Sequence, residues 1–262
     1  MMYDPKIDRR HSMKRFIIAV VLATIGSTAL AADSIHIFTT VDKVTTSHHK
    51  ILGWNIYLDD RLPKGDKELA LFKLGNILAR VELPDGIWTI WRMKPNLKFY
   101  IYPNDAVFES RLPNYGPEIC WDIPLYVVCK KMSSLAANTV FHTMGHKYHD
   151  MCVPNGIQNQ RIKDTYDRAK LSGVYSNNLP NRDRWAHDWI DNSYLNERRD
   201  AYALSQHTEY FAELFQFYVL GWSFGHFPYD SVGGMYELDP EGYKMIRDFV
   251  DSDEAKHSKC LD

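Results

Sequence analysis

The segment Val140-Phe141-His142-Thr143-Met144-Gly145-His146-Lys147-Tyr148-His149-Asp150 carries three imidazoles at i, i+4 and i+7. On a helix those positions share a face, and two imidazoles one turn apart reach a single tetrahedral cation such as Zn2+ at about 2.0–2.1 Å each. The spacing alone also fits a polar stripe along a helix. A second segment, Glu209-Tyr210-Phe211-Ala212-Glu213, places two carboxylates one turn apart among Leu214, Phe215, Phe217 and Tyr218. A helix that is apolar over most of its surface is buried, and buried carboxylates need a cation or several donors. A metal held by two histidines would supply that cation. So would an arginine, with Arg198 and Arg199 close by in sequence, while a half-exposed Glu face would need neither.

The elements that must position these groups follow from the apolar pattern. Residues 35–39 and 54–58 have the composition of short strands, and residues 67–82 place Leu69, Phe72, Leu74, Ile77, Leu78 and Val81 at helical spacing. Aromatic and β-branched runs at 88–91 and 98–102 predict two further strands, divided by Lys94-Pro95-Asn96 and stopped by Pro103-Asn104-Asp105. An apolar strand at 125–129 follows, and Ser133 or Ser134 caps a helix running to about His149. The second half reads as helices over 157–172, closed by Gly173, and over 207–220, closed by Gly221. A last helix opens at Asp239-Pro240, where proline suits the first turn. Strands with one helix, then a strand feeding a helix, then helices, make an α+β layout.

The chain has 262 residues, 45% hydrophobic, with 31 Lys+Arg against 33 Asp+Glu and a formal net charge of −2. That content builds a packed core and excludes a disordered chain, and the balanced charge leaves no footprint for nucleic acid. Phe16 to Ile25 is apolar, follows Lys14-Arg15 and ends in Gly26-Ser27-Thr28-Ala29-Leu30-Ala31, the pattern of a secretory signal peptide at 1–31, with 1–12 an unused upstream start. The run is short for a membrane span, so no membrane association is expected once the signal is removed. A single domain over 32–262 remains, in a secreted or periplasmic setting. Export implies an oxidising compartment, in which Cys120, Cys129, Cys152 and Cys260 have three possible pairings. Sequence does not choose among them; Cys120 with Cys129 and Cys152 with Cys260 is the expectation.

Taken together, His142-Thr-Met-Gly-His146-Lys-Tyr-His149-Asp150, Tyr166-Asp-Arg-Ala-Lys-Leu-Ser-Gly173-Val-Tyr175, Ala201-Tyr202-Ala203, Glu209-Tyr-Phe-Ala-Glu213, Phe227-Pro228 and Asp239-Pro240 resemble the secreted and toxin-borne zincins related to the catalytic domain of anthrax lethal factor. The likeness covers residues 120–262, with a looser match from about Leu52. It implies a zincin-like α+β domain: a small mixed sheet with an edge strand, the metal-binding helix, and a mainly helical C-terminal half. It implies His142, His146 and Glu209 as the three protein ligands of a Zn2+ ion, and Tyr202 as the tyrosine that stabilises the oxyanion. Glu213, His149 and Asp150 fall where groups supporting the ligands are expected. Gly145, which costs roughly 1 kcal/mol inside a helix relative to Ala, reads as permitting close backbone approach beside the metal.

One position departs from that pattern. Active zincins follow the first histidine with a glutamate that takes a proton from the zinc-bound water, and here the residue is Thr143. Threonine is no base near neutral pH, and loss of a positioned acid/base typically costs about 10²–10⁴ in rate. The ligand set is untouched by the change. The resemblance therefore implies a zinc-metallopeptidase-like protein, weak or inactive as a peptidase, with a peptide or protein as substrate or ligand. An active metallopeptidase with a displaced base is one alternative, Glu213 or Asp150 being the candidates. A module that grips an extended peptide along the strand at 125–129 without turnover is another.

Overall fold

The computed structural model describes residues 46–81, 88–103, 127–131, 135–175, 202–221, 232–252, 255 and 260. The expected signal peptide, the strand at 35–39, Cys120, Ser133, Ser134, Arg198, Arg199 and the Phe227-Pro228 pair lie outside those residues. The class is α+β. The chain divides into two compact units, with the boundary inside one helix after Val140.

The first unit is built on a four-stranded sheet of β1 (Thr46–Ile51), β2 (Trp54–Asp59), β3 (Lys98–Tyr102) and β4 (Val127–Lys131), in that order. β1 runs antiparallel to β2, while β2–β3 and β3–β4 are parallel, so the sheet is mixed. Strand β1 was not anticipated. The turn that joins it to β2 is Leu52-Gly53, with φ of 53° and 84°, the two left-handed residues of a tight hairpin. Asn-Gly is the usual signal for such a turn, and a leucine in the first position conceals it. Trp54, Ile56 and Leu58 of β2 and Phe99, Tyr100, Ile101 and Tyr102 of β3 are all fully buried, as strands covered on both faces must be.

Helix α1 (Lys64–Leu78) starts after Pro63, earlier than the spacing predicts, and ends before Glu82. It buries Ala70, Leu74, Ile77 and Leu78, and leaves Leu69 and Phe72 exposed. The strand expected at 88–91 is instead a helical turn, α2 (Trp88–Trp91). Its aromatic composition fits a strand, but the carbonyls of Ile90 and Trp91 accept from Met93 N and Lys94 N at 3.0 Å each, and the Trp91 indole donates to Val81 O at 2.9 Å. Tertiary packing overrides the propensity here.

Helix α3 (Ala137–Cys152) follows β4 and carries the histidine segment. From Phe141 onward it belongs to the second unit, with α4 (Gln160–Ser172), α5 (His207–Leu220), α6 (Val232–Leu238) and α7 (Pro240–Val250). The boundaries obey local rules: Asn159 Oδ1 accepts from Ile162 N at 3.1 Å to cap α4, and Gly173 and Gly221 end α4 and α5 in the left-handed conformation. Asp239 caps α7 and also accepts from the hydroxyls of Tyr175 and Tyr210 at 2.7 and 2.6 Å. Cys152, the last residue of α3, is disulfide-bonded to Cys260, the pairing expected for that half of the cysteines. The Cys129 side chain lies outside the described residues. Among the described residues, no helix is long and apolar enough to cross a membrane.

Candidate metal centre

Two helices meet over a glycine. A Cβ added at Gly145 of α3 would lie 2.9 Å from Ala212 Cα and 3.1 Å from Phe215 Cβ of α5, so only glycine lets the two backbones approach this closely. Tyr148 packs against Phe211 and Phe215 on the same contact, with ring centroids at 6.5 and 5.3 Å. α5 is buried from Thr208 through Ala212 and again over much of Leu214–Val219, as its apolar sequence requires.

The close crossing brings His142 and His146 of α3 onto Glu209 of α5. Glu209 Oε2 lies 3.0 Å from His142 Nε2 and 3.1 Å from His146 Nε2, and the two Nε2 atoms are 3.1 Å apart. Two corners are buried, Glu209 at 1% exposure and His146 at 7%, and the third, His142, is partly exposed. Three potential ligand atoms thus face one point from two helices. Their spacing is close to the edge of about 3.3 Å expected between ligands of a tetrahedral ion with bonds of about 2.0–2.1 Å. The donor set is two imidazole nitrogens and one carboxylate oxygen, which suits a divalent cation.

Glu213, one turn after Glu209, places Oε1 2.8 Å from His142 Nδ1. The two carboxylates of α5 therefore lie against opposite nitrogens of one imidazole. Burial pushes the His142 pKa down, but the hydrogen bonds and charges of Glu209 and Glu213 outweigh it and raise the value to about 9. His146 goes the other way, lowered chiefly by burial and further by the charges of His142 and Lys147. Glu209 is disfavoured as an anion by burial, yet the two imidazoles hold its carboxyl well below the usual range.

The remaining residues separate. His149 is fully buried but lies off the triangle, with its ring against Phe211 at 4.6 Å and edge-on to His207 at 6.2 Å. Burial, with the charges of His207 and His146, lowers its pKa to about 3, so it is a neutral packing group. Asp150 is raised by burial, and its charge is coupled to Lys147 and His146. No hydrogen bond or ion pair among the described residues joins it to Glu209. Thr143 is buried at 7% exposure and offers no titratable group at the position after His142. Tyr202 begins a 3-10 turn, Tyr202–Leu204, just ahead of α5; its side chain lies outside the described residues. Tyr166 OH of α4 donates to Leu204 O at 2.7 Å and so anchors that turn.

One participant was missed from sequence. Gln206, immediately before α5, donates from Nε2 to Glu209 Oε1 at 3.2 Å. A Gln three residues ahead of a buried Glu at a helix start is the signal that would have found it. The chain matches no protein-family model, no curated protein and no solved structure.

Proposed function

We propose that the chain is a secreted, zinc-metallopeptidase-like protein that holds Zn2+ on His142, His146 and Glu209 and has little or no peptidase turnover. The carrying observation is the triangle of Nε2, Nε2 and Oε2 atoms at 3.0–3.1 Å from one another. Zn2+ bound there supplies a Lewis acid that polarises a carbonyl and acidifies a bound water. The chain's own residues would hold the ion, with Glu213 orienting His142 through Nδ1.

Proton transfer is the missing part. Thr143 stands where a base is needed, and Glu213, the nearest other carboxylate, is already committed to His142 Nδ1. That commitment favours the weak or inactive reading over an active enzyme with a displaced base. A centre that polarises a carbonyl without moving a proton binds a peptide more readily than it cleaves one. The apolar run after Lys14-Arg15 and the Cys152–Cys260 disulfide support export to an oxidising compartment.

Peptide-library hydrolysis by the zinc-loaded protein and by Thr143→Glu tests the reading. Zinc bound by both, with cleavage only in Thr143→Glu, is the expected outcome. Chelator-sensitive cleavage by the unaltered protein at the variant's rate would favour the displaced base, and failure to bind zinc would remove the metal reading altogether.

A further inference from the structure

We propose that Gln206 is a positioning residue of the metal centre, holding the outer oxygen of Glu209 so that the other oxygen alone faces His142 and His146. The inference rests on the reading of those three residues as a metal site. The terminal torsion of a glutamate is broad, so an untethered carboxylate presents either oxygen, or both, to a cation. In this chain the two oxygens have different surroundings. Oε2 lies 3.0 and 3.1 Å from the two imidazole nitrogens, while Oε1 accepts from the Gln206 amide at 3.2 Å.

Gln206 is well placed for this. It is the residue before α5, with extended backbone at φ −165° and ψ 162°, and its carbonyl accepts from Tyr210 N at 3.0 Å to close the first turn. The usual task of a side chain at that position is to accept from the free N–H groups of the helix, and the Gln206 side chain makes no such bond. Its amide is directed to the carboxylate instead.

The choice of a neutral donor has a chemical consequence. An amide satisfies one oxygen of a buried carboxylate without neutralising its charge, whereas a lysine or arginine there would compete with a cation for it. A carboxylate tethered through Oε1 would hold a cation through Oε2 alone, and with His142 and His146 would supply three of the four ligands a tetrahedral Zn2+ takes.

The test uses the full chain and three measurements on the unaltered protein, Gln206→Ala and Gln206→Met. These are zinc affinity by competition with a chromophoric chelator, the visible spectrum of the Co2+-substituted protein, and the melting temperature of the metal-free form. Gln206→Ala is expected to weaken zinc about tenfold, the scale of lost supporting contacts at metal sites. The Co2+ bands should lose intensity as the freed carboxylate binds through both oxygens, while metal-free melting falls only by the loss of one donor to a buried acceptor. Gln206→Met keeps the side-chain length but removes the donor without adding charge, and should weaken zinc about as far; it decides the matter if Gln206→Ala does not fold. Tight zinc binding with unchanged affinity and spectrum in the variants would overturn the role of Gln206 and leave the metal site standing. Loss of affinity and of metal-free stability with unchanged Co2+ bands would make Gln206 a helix-end group and overturn it as well. An unaltered protein that binds no zinc would remove the metal reading and this role with it.

Discussion

Asp59 of the sheet unit and Glu209 of the helical unit are both buried carboxylates, and their surroundings treat them in opposite ways. Asp59, fully buried at the end of β2, accepts from Arg61 N and Nε at 2.9 Å each, from the Arg61 guanidinium again at 2.6 Å, and from Tyr100 OH at 2.5 Å. Burial works against its charge, but those donors outweigh it and lower its pKa. The site carries its own permanent cation. Glu209 is equally buried but is met by two imidazoles and one neutral amide. Its positive partner is a proton on His142, which a metal can replace. A carboxylate with an arginine is a finished structural element; one with titratable nitrogens at a common point is a site with an exchangeable cation.

The sharpest way to break that contrast is to delete one member of each group. His146→Ala should abolish zinc binding while leaving the sheet unit intact, whereas Arg61→Ala should leave zinc affinity unchanged and cost about 1–3 kcal/mol in folding, the scale of leaving a buried acceptor uncompensated. Chelator competition and denaturant unfolding read the two arms. Zinc retained in His146→Ala would contradict the assignment.

Gly145→Ala tests the crossing that assembles the helical site. The added Cβ meets backbone of Ala212, which cannot swing aside as a side chain would. A loss of about 1–3 kcal/mol is expected from overpacking, together with a fall in zinc affinity as α3 and α5 separate. Undiminished zinc affinity would show that the close approach is not needed by the ligands.

Acidification should separate the two carboxylates further. His142 must lose its proton to bind a metal, and that proton is held up to about pH 9. Zinc affinity should therefore fall about tenfold for each unit of pH below 9 for the one proton displaced, until the next group titrates. A pH-independent affinity between 7 and 9 would contradict the two-carboxylate grip on His142.

His149 makes a pH-dependent contribution to stability. Its folded value of about 3 lies below the ordinary 6.5, so the unfolded chain takes up the proton first. The contribution is in place above pH 6.5 and is lost as pH falls from 6.5 towards 3, by at most about 5 kcal/mol and less once burial relaxes. Replacing His149 with Phe should flatten the pH dependence of melting over that range. An unchanged slope would assign the acid sensitivity elsewhere.

Much of the site was legible because its chemistry is local. His142 and His146 are one helical turn apart, as are Glu209 and Glu213, and an apolar helix bearing carboxylates announces a buried need for cations. Which carboxylate joins the histidines, and which nitrogen Glu213 meets, depend on a helix crossing that no local pattern contains. Gly145 hinted at that crossing, and Ala212 completes it. Gln206 went unread because a residue at a helix start is ordinarily read as a cap. In the fold, α4 and α5 ended at their glycines and α7 opened at its Asp-Pro as the sequence signals, while α4 begins at Gln160 and not at 157 because Asn159 caps it. The hairpin at Leu52-Gly53 and the helical turn at Trp88–Trp91 were not legible, since one hides its turn behind a leucine and the other is set by packing on its neighbours.

The most direct test of the central claim is the zinc content of the purified, chelator-treated and zinc-reconstituted chain, compared with that of Glu209→Gln. Stoichiometric zinc is expected in the unaltered protein and its loss in the variant, with the metal-free fold unchanged. An unaltered protein that takes up no zinc, or a variant that keeps it, would contradict the reading of His142, His146 and Glu209 as one metal centre.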